Sequence, residues 1–412
     1  MLSPRRRPAL AAVAALLAVL IPAPASAVPG QDCAEPGRAE IGGSWPRAAL
    51  QADAVSPLAN GFGVVVAVLS TGVDAGQPQL DGRVSAGVDV VDQAGAANQD
   101  CTGTGTQVAG VIAGQRGGGD ADVAGLAPGS RILPIRVLLD DPAGSESNPA
   151  LLARGITAAV QNDADVIVVA AAVYQNQQQL RVAVAGAVDQ GVVVVAAAGD
   201  LGGPDDGNPT PFPAAYPGVI GVGAIDQNGR ISPSSQRGDY VDLVAPGVAV
   251  PTLQTGRGLV EVDGTAVAAG FVGAAAALLR DRREDLGPQA VAQVLTATAS
   301  PAPIGEAFGA GVVDPVAAVT GRLVDPDPRP LPALDPAPPP DTATDRLRRA
   351  IALVGAGIAA IVAVAVLLAA AAIRRSRRRH WRPALAPPAP VHDEPLEPGP
   401  PVMLLDERPG SG

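Results

Sequence analysis

The run Val64-Val65-Val66-Ala67-Val68-Leu69-Ser70-Thr71-Gly72-Val73 opens with six apolar residues and passes into a polar, glycine-containing turn. A strand with one wet face alternates apolar and polar residues. An unbroken Val-rich run instead fits a strand covered on both faces, as in parallel sheets. Val166–Val169, Val192–Ala198 and Val219–Val222 read the same way. Val108–Gly114, Leu151–Asn162, Leu180–Gln190 and Thr265–Arg280 are Ala-rich stretches that read as helices. Strands alternating with helices imply an α/β fold built on a parallel sheet. Hydrophobic residues make up 47% of the 412 and aromatics only 2%, so the core must be Val, Ala and Leu.

Outside this block the chain changes character. Residues 1–27 begin with Arg5-Arg6-Arg7, continue with a short apolar run and end Ala25-Ser26-Ala27. Basic start, apolar middle and small-x-small end describe a secretory signal peptide. Residues 28–60 form a polar N-terminal extension and 61–322 the main domain. Residues 323–349 are a Pro-rich linker, with eight Pro between positions 324 and 341. At ~3.1 Å per residue that part spans up to ~55 Å. Residues 350–373 carry no charge and suit a transmembrane helix. Six Arg follow it, counting Arg382, against three before it, and 374–412 reads as a basic stop and disordered tail. The positive-inside tendency places that tail in the cytoplasm and the large domain outside.

All 29 basic residues are Arg. Between residues 28 and 345 there are 16 Arg against 35 Asp and Glu, a net charge of −19. Nucleic acid is therefore excluded as a natural partner. The two cysteines, Cys33 and Cys101, favour a disulfide in an exported domain, against two free thiols.

Six segments resemble subtilisin-like serine proteases in the right order. Val64–Val73 matches a first strand that normally ends Asp-Thr-Gly. Gly103-Thr104-Gly105-Thr106-Gln107-Val108-Ala109-Gly110 matches Gly-His-Gly-Thr-x-Val-Ala-Gly. Val123–Gly129, Val192–Asp200, Tyr216–Ala224 and Val244–Gly247 match further signatures, the second of them normally ending Ala-Gly-Asn. Val262-Asp263-Gly264-Thr265-Ala266-Val267-Ala268-Ala269 stands where Gly-Thr-Ser-x-Ala-Ala is usual. Within that family the chain resembles the mycosins, membrane-anchored subtilisin-like proteins of type VII secretion systems of actinobacteria. Cys101 before the glycine motif, the closing Gly311-Val312-Val313-Asp314-Pro315, and the Pro-rich spacer with its membrane helix carry this narrower match. The resemblance implies a three-layer subtilisin-like fold with a parallel sheet.

The departures fall on the chemistry. Carried over residue by residue, the acid position holds Ser70, the base position Thr104, the nucleophile position Ala266 and the oxyanion-hole amide position Asp200. A serine protease needs a nucleophile, a base, an orienting carboxylate and oxyanion donors. Ser70 and Thr104 are uncharged, Ala266 has no oxygen, and Asp200 offers acceptors where a donor is needed. Gly270 also replaces the usual Pro. The only histidines, His380 and His392, follow the membrane segment, and with no Lys a Ser–Lys pair is excluded. Thr265 with Asp263 or Glu261 as base is the one rescue left open; Asp74 and Asp263 otherwise read as turn and loop residues.

No catalytic residue set is thus intact, and no cofactor is expected. No metal cluster is apparent, although a carboxylate-bound Ca²⁺ stays open. The expected function is a non-catalytic structural or binding component of a type VII secretion membrane complex. The alternatives are an active serine endopeptidase that processes secreted proteins and a module that binds peptide segments in the old groove without cutting.

Overall fold

The computed structural model describes residues 33–42, 45–92, 95–117, 123–138, 147–303, 305–321 and 343–378. The proposed signal peptide, most of the linker and the tail beyond 378 lie outside them. Nine strands are described: β1 (Val65–Ser70), β2 (Val88–Asp89), β3 (Arg131–Arg136), β4 (Val166–Val169), β5 (Val193–Ala197), β6 (Val219–Ile225), β7 (Leu243–Pro246), β8 (Val250–Leu253) and β9 (Leu259–Val262). The helices are α1 (Trp45–Ala49), α2 (Ala52–Val55), α3 (Thr104–Ala113), α4 (Pro149–Gln161), α5 (Gln178–Asp189), α6 (Thr265–Arg282), α7 (Pro288–Ala297), α8 (Pro315–Thr320) and α9 (Ala343–Arg378).

Seven strands form one parallel sheet in the order β2-β3-β1-β4-β5-β6-β7, with Val66 opposite Ile132 on one side and Val166 on the other. The Val-rich runs are covered on both faces, as expected. Val66, Val68, Val166, Val168, Val193 and Val195 join the apolar layer with α3 and α6. Their alternates Ala67, Leu69, Ile167, Val169, Val194 and Ala196 join the layer with α4 and α5. The two-residue period of a strand thus divides one run between two cores.

Helix α6 is apolar on every side and is buried from Val267 to Leu279. Such a helix must lie inside the molecule. Its glycines allow the approach: a Cβ on Gly273 would lie 2.3 Å from Val168 Cγ2, and one on Gly270 2.7 Å from Val111 Cγ2 on α3. The proline expected at position 270 would meet that same wall.

β8 and β9 form a separate antiparallel pair, with Val250 opposite Val262. The N-terminal extension docks on its edge: Arg38 N–H donates to Leu259 O and Leu259 N–H to Arg38 O, each at 2.8 Å. Apart from this unit, α9 is long and apolar enough to cross a membrane over Leu347–Arg377 and contains the stretch 350–373 read from sequence.

Candidate functional site

The C-terminal ends of parallel strands and the N-termini of the helices that follow them meet on one side of such a sheet, and ligands generally bind there. Ser70 is the last residue of β1 and Thr104 the first of α3. The end of β1 and the first turn of α3 touch: a Cβ on Gly105 would lie 3.2 Å from Ser70 Cβ and 1.8 Å from Gly72 O, so only glycine fits. Ser70 is fully buried, and its hydroxyl has no hydrogen-bond partner. The aspartate expected there would be ionised and would require donors or a cation.

Asp100, which the sequence reading passed over, organises the start of α3. Its buried carboxylate accepts from Thr71 Oγ1 (2.9 Å), Gly103 N (2.8 Å), Thr106 N (2.9 Å) and Thr106 Oγ1 (2.7 Å). Two of these are amides at the helix start, which have no carbonyl partner within the helix. α3 therefore begins at Thr104, four residues before the apolar run that announced it. Gly103, at φ 98°, makes the turn into the helix.

Cys101 follows directly and is bonded to Cys33. Ala34 N–H donates to Cys101 O at 2.7 Å, and Gln254 Nε2 to Glu35 O at 3.2 Å. The disulfide expected from the even cysteine count therefore pins the extension beside the Gly103 motif.

Asp200 follows β5 and reaches the first turn of α6. Its carboxylate accepts from Thr265 N at 2.9 Å and Thr265 Oγ1 at 3.1 Å, while Gly199 N–H donates to Thr265 Oγ1 at 3.1 Å. The neighbouring residue Ala266 is half-buried and packs against the larger core. Asp200 thus carries a charge hostile to an oxyanion and also serves as an acceptor for the helix.

The rescue left open in the sequence has a different geometry. Thr265 is paired with Asp200, while Asp263 accepts from Ala249 N at 2.6 Å. A hydroxyl 3.1 Å from a carboxylate resembles a nucleophile with its base, but Thr265 is fully buried and offers no face to a substrate. Asp74 behaves as the turn reading expects, accepting from Gly76 N at 2.8 Å and Gly256 N at 2.6 Å. No histidine occurs among the described residues, since His380 and His392 lie outside them. No cluster of three metal-ligating side chains occurs among the described residues either.

Around Gly199 the space is taken. A Cβ there would lie 2.0 Å from Gln236 Oε1 and 3.1 Å from the Tyr174 hydroxyl. The Gln236 side chain donates to Pro209 O, and its Oε1 accepts from Leu201 N at 3.4 Å. Burial pushes the Tyr174 hydroxyl up to about 12, and the nearby charges of Asp200 and Asp206 add to the shift. It stays protonated, and the local field is negative.

The subtilase family model matches residues 61–313. Mycosin-1 of Mycobacterium tuberculosis is 34% identical over 80% of this chain and 86% of its own length. The structure of MycP1 with its N-terminal propeptide removed superposes with a TM-score of 0.60 at 33% identity, covering 68% of this chain and 98% of that one. The structure of the MycP3 protease from a type VII (ESX-3) secretion system gives 0.58 at 30% identity, covering 72% and 91%. With the parallel sheet, the glycine turns at β1 and α3, and the helix that carries the nucleophile position all in register, this chain belongs to the subtilase family and, within it, to the mycosins.

Proposed function

We propose that the chain is a catalytically silent mycosin, anchored in a membrane and serving as a structural or binding component on the outer face of a type VII secretion complex. The observation that carries this reading is Asp200. At the position expected to give an oxyanion donor, its carboxylate accepts the Thr265 amide and hydroxyl. Anionic acceptors there oppose the charge that develops in acyl transfer. Ser70, Thr104 and Ala266 supply no acid, base or nucleophile beside it. The mycosin membership and the membrane-length helix support placement in a secretion assembly.

Two experiments test the proposal. The purified protein should not be labelled by a fluorophosphonate. The combined variant Ser70→Asp, Thr104→His, Asp200→Asn, Ala266→Ser should gain labelling, whereas Ala266→Ser alone should not, because triad members act as a unit worth a factor on the order of 10⁶ in rate. Labelling of the unaltered chain refutes the silent reading. For orientation, protease added to wall-stripped cells should remove the domain before residue 320 and spare a tag after Gly412. The reverse pattern refutes the outward placement.

A further inference from the structure

A hollow that shares no lining residue with the candidate site lies between α1, the turn after β6 and the segment leading into α8. Its volume is about 230 Å³. That is below the usual range for small-molecule and cofactor sites, which begin near ~300 Å³, yet it is enough for one long side chain. Its apolar lining comes from Trp45, Leu50, Ile225 and Val313, and its charged lining from Asp226 and Asp314. The Trp45 indole is held by donating to Ala249 O at 3.1 Å.

Both carboxylates are fixed in place. Asp226 accepts from Asn228 N at 2.8 Å and Arg230 N at 3.0 Å, and it pairs with the Arg230 guanidinium at 2.8 Å. Asp314 accepts from Ala317 N at 2.9 Å and Ser300 Oγ at 3.2 Å. Arg230, the cation paired with Asp226, has a side chain 76% exposed to water. The Asp226 side chain is only 17% exposed, but its partner cation is largely in water, so a second guanidinium can compete for the same carboxylate.

We propose that this pocket takes an arginine side chain from an extended basic segment of a partner protein. The aliphatic stem would lie along the apolar lining. The planar guanidinium would stack on Trp45 and share the carboxylate of Asp226, a geometry that suits Arg better than Lys. The −19 charge between residues 28 and 345 draws a basic segment towards this surface from a distance.

The test uses the full detergent-solubilised chain. It contains two tryptophans, Trp45 and Trp381, so in a Trp381→Phe background the emission reports on the pocket. The probes are acetyl-Ala-Arg-Ala-amide and its citrulline counterpart, which keeps the shape and loses the charge. The arginine peptide should change the emission saturably, bind about tenfold more tightly than the citrulline peptide, and weaken as salt rises. Asp226→Asn should abolish that preference, and Arg230→Ala, which removes the competing cation, should tighten binding about two- to fivefold. Equal binding of the two peptides to the unaltered pocket, or no saturable change, overturns the proposal without any variant needing to fold. Free L-arginine binding as tightly as the capped peptide overturns the assignment to a protein segment. Displacement of a self-associated form by the peptide would make the occupant a second copy of this chain and likewise overturns it.

Discussion

Two helices begin at the candidate site, and each has an aspartate on its first amides. At α3 the aspartate is Asp100, buried and next to the disulfide cysteine Cys101, with amides and hydroxyls converging on it. At α6 it is Asp200, an exposed residue that arrives from a different strand and takes one amide and one hydroxyl. Asp100 occupies no position that chemistry would need, so its network is compatible with an active or a silent site. Asp200 occupies a position where chemistry would need the opposite polarity. On the proposed silent reading, the cap at α3 is part of the scaffold, and the cap at α6 stands where a catalytic donor would be needed.

The largest difference between the two caps is expected at Asp100. Asp100→Ala should destabilise the domain by about 3–5 kcal/mol, because it leaves buried donors unpaired. Urea denaturation would read this as a lower midpoint at unchanged slope. A loss below about 2 kcal/mol would put the two aspartates on the same footing. Asp200→Ala should cost only about 0.5–2 kcal/mol, the usual range for a lost N-cap acceptor. Thermal melting of the two variants side by side checks the ordering. Ser70→Ala is the smallest expected effect, within about 0.5 kcal/mol of zero and of either sign, since the buried hydroxyl has no partner to lose. A larger loss would mean that an ordered water pairs with Ser70.

Much of the fold was legible because both strand faces are buried. The runs at Val64, Val166, Val192 and Val219 name their strands within a residue or two at the start, and α6 is visible as a long small-residue stretch. Elements fixed by polar contacts were harder to read. The first turn of α3 depends on Asp100, and no apolar period marks it. α8 is only six residues long, although Asp314 at its cap and Pro315 in its first turn are recognisable start signals. The pair β8 and β9 is short and mixed in polarity. At the site, the identities of Ser70, Thr104, Asp200 and Ala266 came from the motif register. Their partners did not: Asp200 lies 65 positions from Thr265, and no local pattern encodes a contact of that range. Gly270 looked like a lost proline, and the structure gives it a packing role against Val111.

The bond between Cys33 and Cys101 spans 68 positions of chain, including β1 and the loops on either side of it. A cut at any exposed point in that interval would leave the two pieces covalently joined. The extension would keep its place on β9, and the protein would run at full mass on a gel without reductant. Maturation by cleavage in this region would change the number of chain ends without releasing a fragment, and only reduction would reveal it.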